Sequence, residues 1–240
     1  MPPVERLHSW DLTTTEAREL QLRLATRVDR AGTLPPLGTV AGADVSYELR
    51  GKWLYAAIVV LRVGTWEVID RAGIIAEARF PYVPGLLSFR EAPPVIEAFM
   101  KLTVRPDVLI CDGQGIAHPR RMGLASHIGL WLGLPTIGCA KSWLCGEYEE
   151  PGPERGEWTP LTDAGETIGA VVRTRSRVKP LYVSTGHLCD LESATAVVLA
   201  TATKYRQPVT TRLAHQYVND LRRQANPAEG SSAQSIDPLI

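Results

Sequence analysis

Asp44 and Asp112 each close an apolar, strand-like run, Val40 to Ala43 and Val108 to Cys111, so both would emerge near strand ends. If those strands are parallel neighbours, the two carboxylates reach one edge of one sheet, where α/β proteins tend to hold ligands. Carboxylates pressed together in a partly dry site repel unless something neutralises them. A hard divalent cation does this, and oxygen ligands suit Mg²⁺ or Mn²⁺. Glu91, in or just before the following helix, offers a third oxygen. A plainer role fits equally: Asp before Gly is a common turn signal. Spacing alone leaves both readings open.

Other polar residues fall near the same edge. Asp112-Gly113-Gln114-Gly115 is followed by His118, whose imidazole could contact a phosphate or a water. Lys141 follows the strand ending at Cys139, which would bring its ammonium beside the acids, to neutralise one or to stabilise a charged phosphoryl oxygen. A solvated surface lysine is the competing reading. His215 on the last helix and His127 within an apolar helical run read first as structural histidines. No phosphate-cradling glycine motif accompanies Gly113 and Gly115, and Ser184 with His187 lacks the G-x-S-x-G elbow of a hydrolytic triad.

The elements that must position these residues follow from periodicity and punctuation. Thr13 and Glu16 have capping-box spacing, and Leu20, Leu24 and Val28 continue a helix that Gly32 and Pro35-Pro36 stop. Strands are expected over 39–47, 53–63 and 66–78, as an antiparallel meander with turns at Arg50-Gly51 and Gly64. Pro81-Tyr82-Val83-Pro84-Gly85 is neither helix nor central strand. A helix is expected over about 88–101, with Pro93-Pro94 a possible true start. Then come a buried strand over 108–111, a helix over 122–132 and a strand over 136–139. Strands over 168–172 and 181–183 and helices over 191–205 and 211–223 complete the chain. The order implies an α/β protein: one mixed central β-sheet flanked by α-helices, in a single domain over residues 1–225. Residues 226–240, rich in Pro, Gly, Ser and Gln, read as a disordered tail.

Composition narrows the class. Hydrophobic residues make up 45% and charged residues 22%, which excludes a wholly disordered or fibrous chain. No apolar run is long enough for a membrane span and no signal pattern opens the chain. Four cysteines without C-x-x-C spacing argue against structural zinc and for reduced thiols. Lys+Arg and Asp+Glu both number 26, and this zero balance, taken as a sum, disfavours a nucleic-acid partner. Its distribution reverses that. Residues 147–166 carry seven acids and one base (1 − 7 = −6), and residues 170–224 nine bases and three acids (9 − 3 = +6). Arg173, Arg175, Arg177 and Lys179, with Arg120-Arg121, could form a narrow phosphate-binding track.

The sequence resembles the endonuclease V family. The resemblance rests on Gly42-Ala43-Asp44-Val45-Ser46-Tyr47, on Phe80-Pro81-Tyr82-Val83-Pro84-Gly85-Leu86-Leu87-Ser88-Phe89-Arg90-Glu91, and on Asp112-Gly113-Gln114-Gly115 with His118-Pro119-Arg120. Gly138-Cys139-Ala140-Lys141-Ser142, Tyr182-Val183-Ser184-Thr185-Gly186-His187 and Thr211-Arg212-Leu213-Ala214-His215 extend it. It implies an RNase H-like fold and an Mg²⁺-dependent endonuclease, with Mn²⁺ as a substitute, acting on DNA that contains deoxyinosine. Such enzymes cut the second phosphodiester bond 3′ to the lesion and leave 3′-hydroxyl and 5′-phosphate ends. It implies Asp44, Glu91, Asp112 and His215 as metal ligands and Lys141 and His118 as further catalytic residues. Tyr82, held by Pro81 and Pro84, would be a wedge stacking into the gap left by a displaced base. Gly85, Leu87, Gly113, Gly115, Ser184 and Gly186 would contact substrate, and the protein would act as a cytoplasmic monomer. Inosine-containing RNA is the alternative substrate. A resolvase- or transposase-type nuclease, or a non-catalytic binding module on the same fold, are the other readings.

Overall fold

The computed structural model describes residues 6–47 and 51–225. The expected turn at Arg50 and the expected tail over 226–240 lie outside the described residues. Eight strands form one sheet in the order β3-β2-β1-β4-β5-β8-β7-β6. They are β1 (Thr39–Tyr47), β2 (Trp53–Arg62), β3 (Val68–Glu77), β4 (Val108–Cys111), β5 (Thr136–Ala140), β6 (Trp158–Asp163), β7 (Glu166–Val172) and β8 (Leu181–His187). The helices among the described residues are α1 (Thr14–Ala25), α2 (Leu87–Met100), α3 (Leu124–Leu132), α4 (Leu191–Thr201) and α5 (Val209–Ala225).

The meander β1-β2-β3 is antiparallel, whereas β1/β4 and β4/β5 pair in parallel, so the sheet is mixed as expected. Helices cover both faces. Along β2, Ala56, Ile58 and Val60 pack with α2 residues Ala92, Val95 and Phe99. The alternate residues Tyr55, Ala57, Val59 and Leu61 pack against Ala214 and Val218 of α5. This is why β2 is buried throughout its interior instead of alternating.

Three expectations need correction. Helix α2 begins at Leu87, and Pro93-Pro94 lie inside it. Two backbone donors are thereby lost, but the apolar face formed by Ala92, Val95, Ile96 and Phe99 holds the helix on the sheet. Helix α4 ends at Thr201, short of Tyr205. Strand β6 escaped the sequence reading because Pro160 interrupts it; β6 is an edge strand, where a missing ladder donor is tolerated.

Candidate active site

The carboxylates meet because β1 outruns its parallel neighbour. Pairing of β1 with β4 ends at Ala43 opposite Cys111, so Asp44 and Asp112 both lie just beyond it. The Asp112 N–H donates to the Ala43 carbonyl at 3.2 Å, which fixes the chain as it leaves β4. Across this edge α5 comes very close: a Cβ on Gly42 would lie 2.3 Å from the Thr210 carbonyl carbon, so only glycine admits the helix there. That approach delivers His215, whose Nδ1 lies 2.7 Å from Asp44 Oδ2. Asn219, one turn on, donates from Nδ2 to His215 Nε2 at 3.0 Å, so the imidazole carries its proton on Nδ1 and gives it to Asp44. Lys141, just beyond β5, places Nζ 2.5 Å from Asp112 Oδ2.

Glu91 enters from α2 and is buried. Its carboxyl is pushed up to about 8, first by burial and then by the charges of Asp44 and Asp112. Asp44 is raised to about 6 by burial and by Asp112, against the pull of His215 and Lys141. The Tyr47 hydroxyl, hydrogen-bonded to Glu91, is itself pushed up to about 12, mainly by burial. Among the described residues, no three His, Cys, Asp or Glu side chains are already gathered into a metal cage. The chemistry of the donors nevertheless fits a hard divalent cation: three carboxylates in electrostatic contact, two of them raised by burial and by mutual repulsion that a cation would relieve. They face an open cleft of about 430 Å³ with Lys141 and His215 at its sides.

A second cavity, about 250 Å³ and largely apolar, adjoins this cleft. Tyr82, Pro84, Gly85, Leu87 and Gly113 line it, as do Trp143 and Leu144. Its wall is braced through one carbonyl. Gly85 O accepts from His118 Nε2 at 3.0 Å, Arg120 Nη2 at 2.6 Å and Gln21 Nε2 at 3.1 Å. Gly85 has φ +76°, and a Cβ there would meet Arg120 Nη2 at 2.8 Å, so the wall requires glycine. His118 Nδ1 accepts from the Arg120 N–H at 3.1 Å. Burial, then Arg120, lowers its pKa to about 4, leaving a neutral ring.

His118 therefore stands in the wall of the apolar pocket with both nitrogens engaged. Ser184 is buried and accepts from the Gly115 N–H at 2.9 Å, and a Cβ on Gly115 would collide with Thr185 O at 2.0 Å. Gly186 likewise packs on Thr136, where a Cβ would lie 2.3 Å from Oγ1. These three residues seat the loop after β4 against β8; they do not line the pocket. Pro81 faces a different, polar cavity beside Arg6 and Arg79. The expected basic track also shrinks. Arg173 is buried against Glu150 and the carbonyls of Pro151, Gly152 and Val178. Arg121 is held by Asp163 and Glu166, and Arg120 by Gln21 and Gly85. Arg175, Arg177 and Lys179 are exposed.

Sequence reasoning missed Gln21 and Asn219. Gln21 sits on the buried stripe of α1 with Ala17, Leu20 and Leu24, and a polar residue on an apolar stripe was the available signal. Asn219 lies four residues after His215, the spacing at which helical side chains meet.

A mixed sheet with helices on both faces, acids at adjacent strand ends and an adjoining apolar pocket defines an α/β nuclease. The endonuclease V family model matches residues 22–216. An endonuclease V of Roseiflexus sp. (strain RS-1) is 51% identical over 205 residues, covering 85% of this chain and 91% of the relative. That of Myxococcus xanthus (strain DK1622) is 49% identical over 237 residues, 97% of each. The crystal structure of the Streptomyces avermitilis endonuclease V superposes with a TM-score of 0.86 at 45% identity, covering 90% of this chain and 96% of that one. The Ciona intestinalis endonuclease V, in complex with a 24mer DNA containing an inosine followed by a ribo-adenosine, gives a TM-score of 0.79 at 27% identity over 88% and 98% of the two chains. The chain belongs to the endonuclease V family, and it is an endonuclease. Among the described residues no helix is long and apolar enough to cross a membrane.

Proposed function

We propose that the protein is a divalent-metal-dependent DNA repair endonuclease that recognises deoxyinosine and cuts the second phosphodiester bond on its 3′ side. The observation that carries this reading is a shared wall: Leu87, Asp112, Gly113 and Ser142 line both the carboxylate cleft and the apolar pocket. A base held in the pocket thus keeps its own strand against the acids. The Ciona relative, solved with inosine-containing DNA, supports the choice of base.

Asp44, Glu91 and Asp112 would hold Mg²⁺ or Mn²⁺, with His215 at the margin. The cation would supply charge neutralisation at the phosphoryl oxygens and ease deprotonation of the attacking water. The water oxygen bonds to phosphorus as the bond to the 3′ oxygen breaks, and that oxygen leaves as a 3′-hydroxyl. Lys141, pinned on Asp112, offsets the negative charge that grows on the phosphoryl group. Asn219 and Asp44 between them fix the ring of His215. Tyr82, 56% exposed and bracketed by prolines, enters the stack in place of the displaced base. Aromatic stacking is worth roughly 1–3 kcal/mol per base and offsets part of the cost of flipping. The backbone of Gly85 and Gly113, with Leu87, receives the flipped base, and Gln21, Arg120 and His118 keep that wall from collapsing.

The test is cleavage of matched single-stranded DNA, duplex DNA and RNA, each with one inosine, beside inosine-free controls, with Mg²⁺ and with chelator. Metal-dependent cutting at the second phosphodiester 3′ of inosine in DNA, directly after the first nucleotide that follows inosine, is expected. Cutting of RNA alone moves the substrate to inosine-containing RNA, and equal cutting of unmodified DNA sinks the repair reading.

A further inference from the structure

We infer that Trp143 is the stacking platform for the single nucleotide that bridges the two cavities, and so a substrate-positioning residue of this enzyme. The inference rests on the reading above, in which the bond cut is the second one 3′ to the lesion. Trp143 is 54% exposed, and a large apolar ring left in water forgoes burial free energy, so its exposure calls for an occupant. It is also held still. Its Nε1–H donates to Gly146 O at 3.0 Å, and Gly146 has φ +86° with no room for a Cβ, which would meet Thr162 O of β6 at 2.7 Å. A ring tied at its polar edge presents its faces, which suits stacking on any base.

Position along the chain identifies which base. Lys141 lines only the carboxylate cleft, Ser142 lines both cavities, and Trp143 and Leu144 line only the apolar pocket. A strand with its flipped base in the pocket and its second 3′ phosphodiester at the carboxylates has one nucleotide between them. That nucleotide must pass along Ser142 and Trp143. Tyr82, the other exposed aromatic of this cavity, serves the gap left in the stack and cannot also serve this base.

The experiment is single-turnover cleavage over a range of enzyme concentrations, on two inosine oligonucleotides. One carries a normal base 3′ to inosine, the other a baseless tetrahydrofuran nucleotide there. On the first, Trp143→Ala should raise the half-saturating concentration roughly 5- to 150-fold, the equivalent of losing one stacked base, while the saturating rate moves far less. On the second, wild type and Trp143→Ala should converge, because the partner of the ring is gone. Trp143→Phe keeps a stacking face without Nε1–H and should retain most of the binding. Losses that multiply instead of converging, or a Trp143→Phe as impaired as Trp143→Ala, would overturn the inference; the latter makes the indole a loop tie. If wild type cuts neither oligonucleotide, the substrate reading fails, and the stacking role with it.

Discussion

The two cavities are neighbours built on opposite principles. The carboxylate cleft is an electrostatic device set on rigid elements: Asp44 and Asp112 at the ends of β1 and β4, Glu91 on α2, His215 on α5. Its members repel one another, and burial sharpens the repulsion. The apolar pocket is a loop device. Its walls are Tyr82, Gly85 and Gly113 with bare backbone, kept open by the hydrogen bonds that Gln21, His118 and Arg120 make to the Gly85 carbonyl. On the proposed function the cleft sets rate and the pocket sets recognition, and substitutions should separate the two.

Asp112→Asn tests the first half most severely. It removes a proposed cation ligand and the partner of Lys141, and the saturating single-turnover rate should fall about 10³-fold or more, several kcal/mol of transition-state stabilisation. Half-saturation should move little; a large shift there would merge the two devices into one. Asn219→Ala, which touches only the far nitrogen of His215, should cost roughly 10- to 100-fold in rate, as loss of an outer partner of a ligand does. Gln21→Leu should act on the other half. It leaves Arg120 Nε and the Met122 carbonyl without their buried partners, and preference for inosine over adenine oligonucleotides should drop roughly 10-fold at nearly constant saturating rate.

The same division explains what could be read from the sequence. Strand-end acids are legible because apolar runs announce strands and a polar residue announces their end, so Asp44, Asp112 and Lys141 stood out from periodicity, with Glu91 located through the proline-rich run before it. The meander and the β4-α3-β5 unit were legible for the same reason. The pocket was legible only through its motifs, which set Tyr82, Pro84, Gly85, Leu87 and Gly113 at the substrate; the brace behind them was not, because it converges on a backbone carbonyl, a group that every residue carries. Ser184, Gly115 and Gly186 were expected at the substrate because they belong to recognisable motifs, but Ser184 Oγ faces the Gly115 N–H and Gly186 packs closely on Thr136, where a Cβ would lie 2.3 Å from Oγ1. Trp143 and Gln21 belong to no motif at all. Arg173 looked like a phosphate contact, yet only the fold reveals that four neighbouring acceptors consume it.

The smallest effect reads the burial of Glu91 together with the repulsion from its neighbours. In chelated protein, Glu91 is raised from 4.5 to about 8, so the folded state holds a proton that the unfolded chain releases. Stability from this group is complete below about pH 4.5 and is lost as pH rises through 8. His118 has the opposite sign: lowered from 6.5 to about 4, it costs stability only as pH falls below 6.5. Between pH 6.5 and 8.5 the buried histidine is silent, and Asp44, raised only to about 6, has nearly finished titrating. Across that window the melting temperature of the chelated wild type should fall by roughly 4–8 °C. Glu91→Gln should flatten the slope, because an amide has no proton to lose, and Mg²⁺ should raise the wild-type midpoint more at pH 8.5 than at pH 6.5. A flat wild-type profile, or an equal slope in Glu91→Gln, would mean that Glu91 is not held up by burial and its acidic neighbours, and the contrast between a charged cleft and a neutral pocket would then fail at its root.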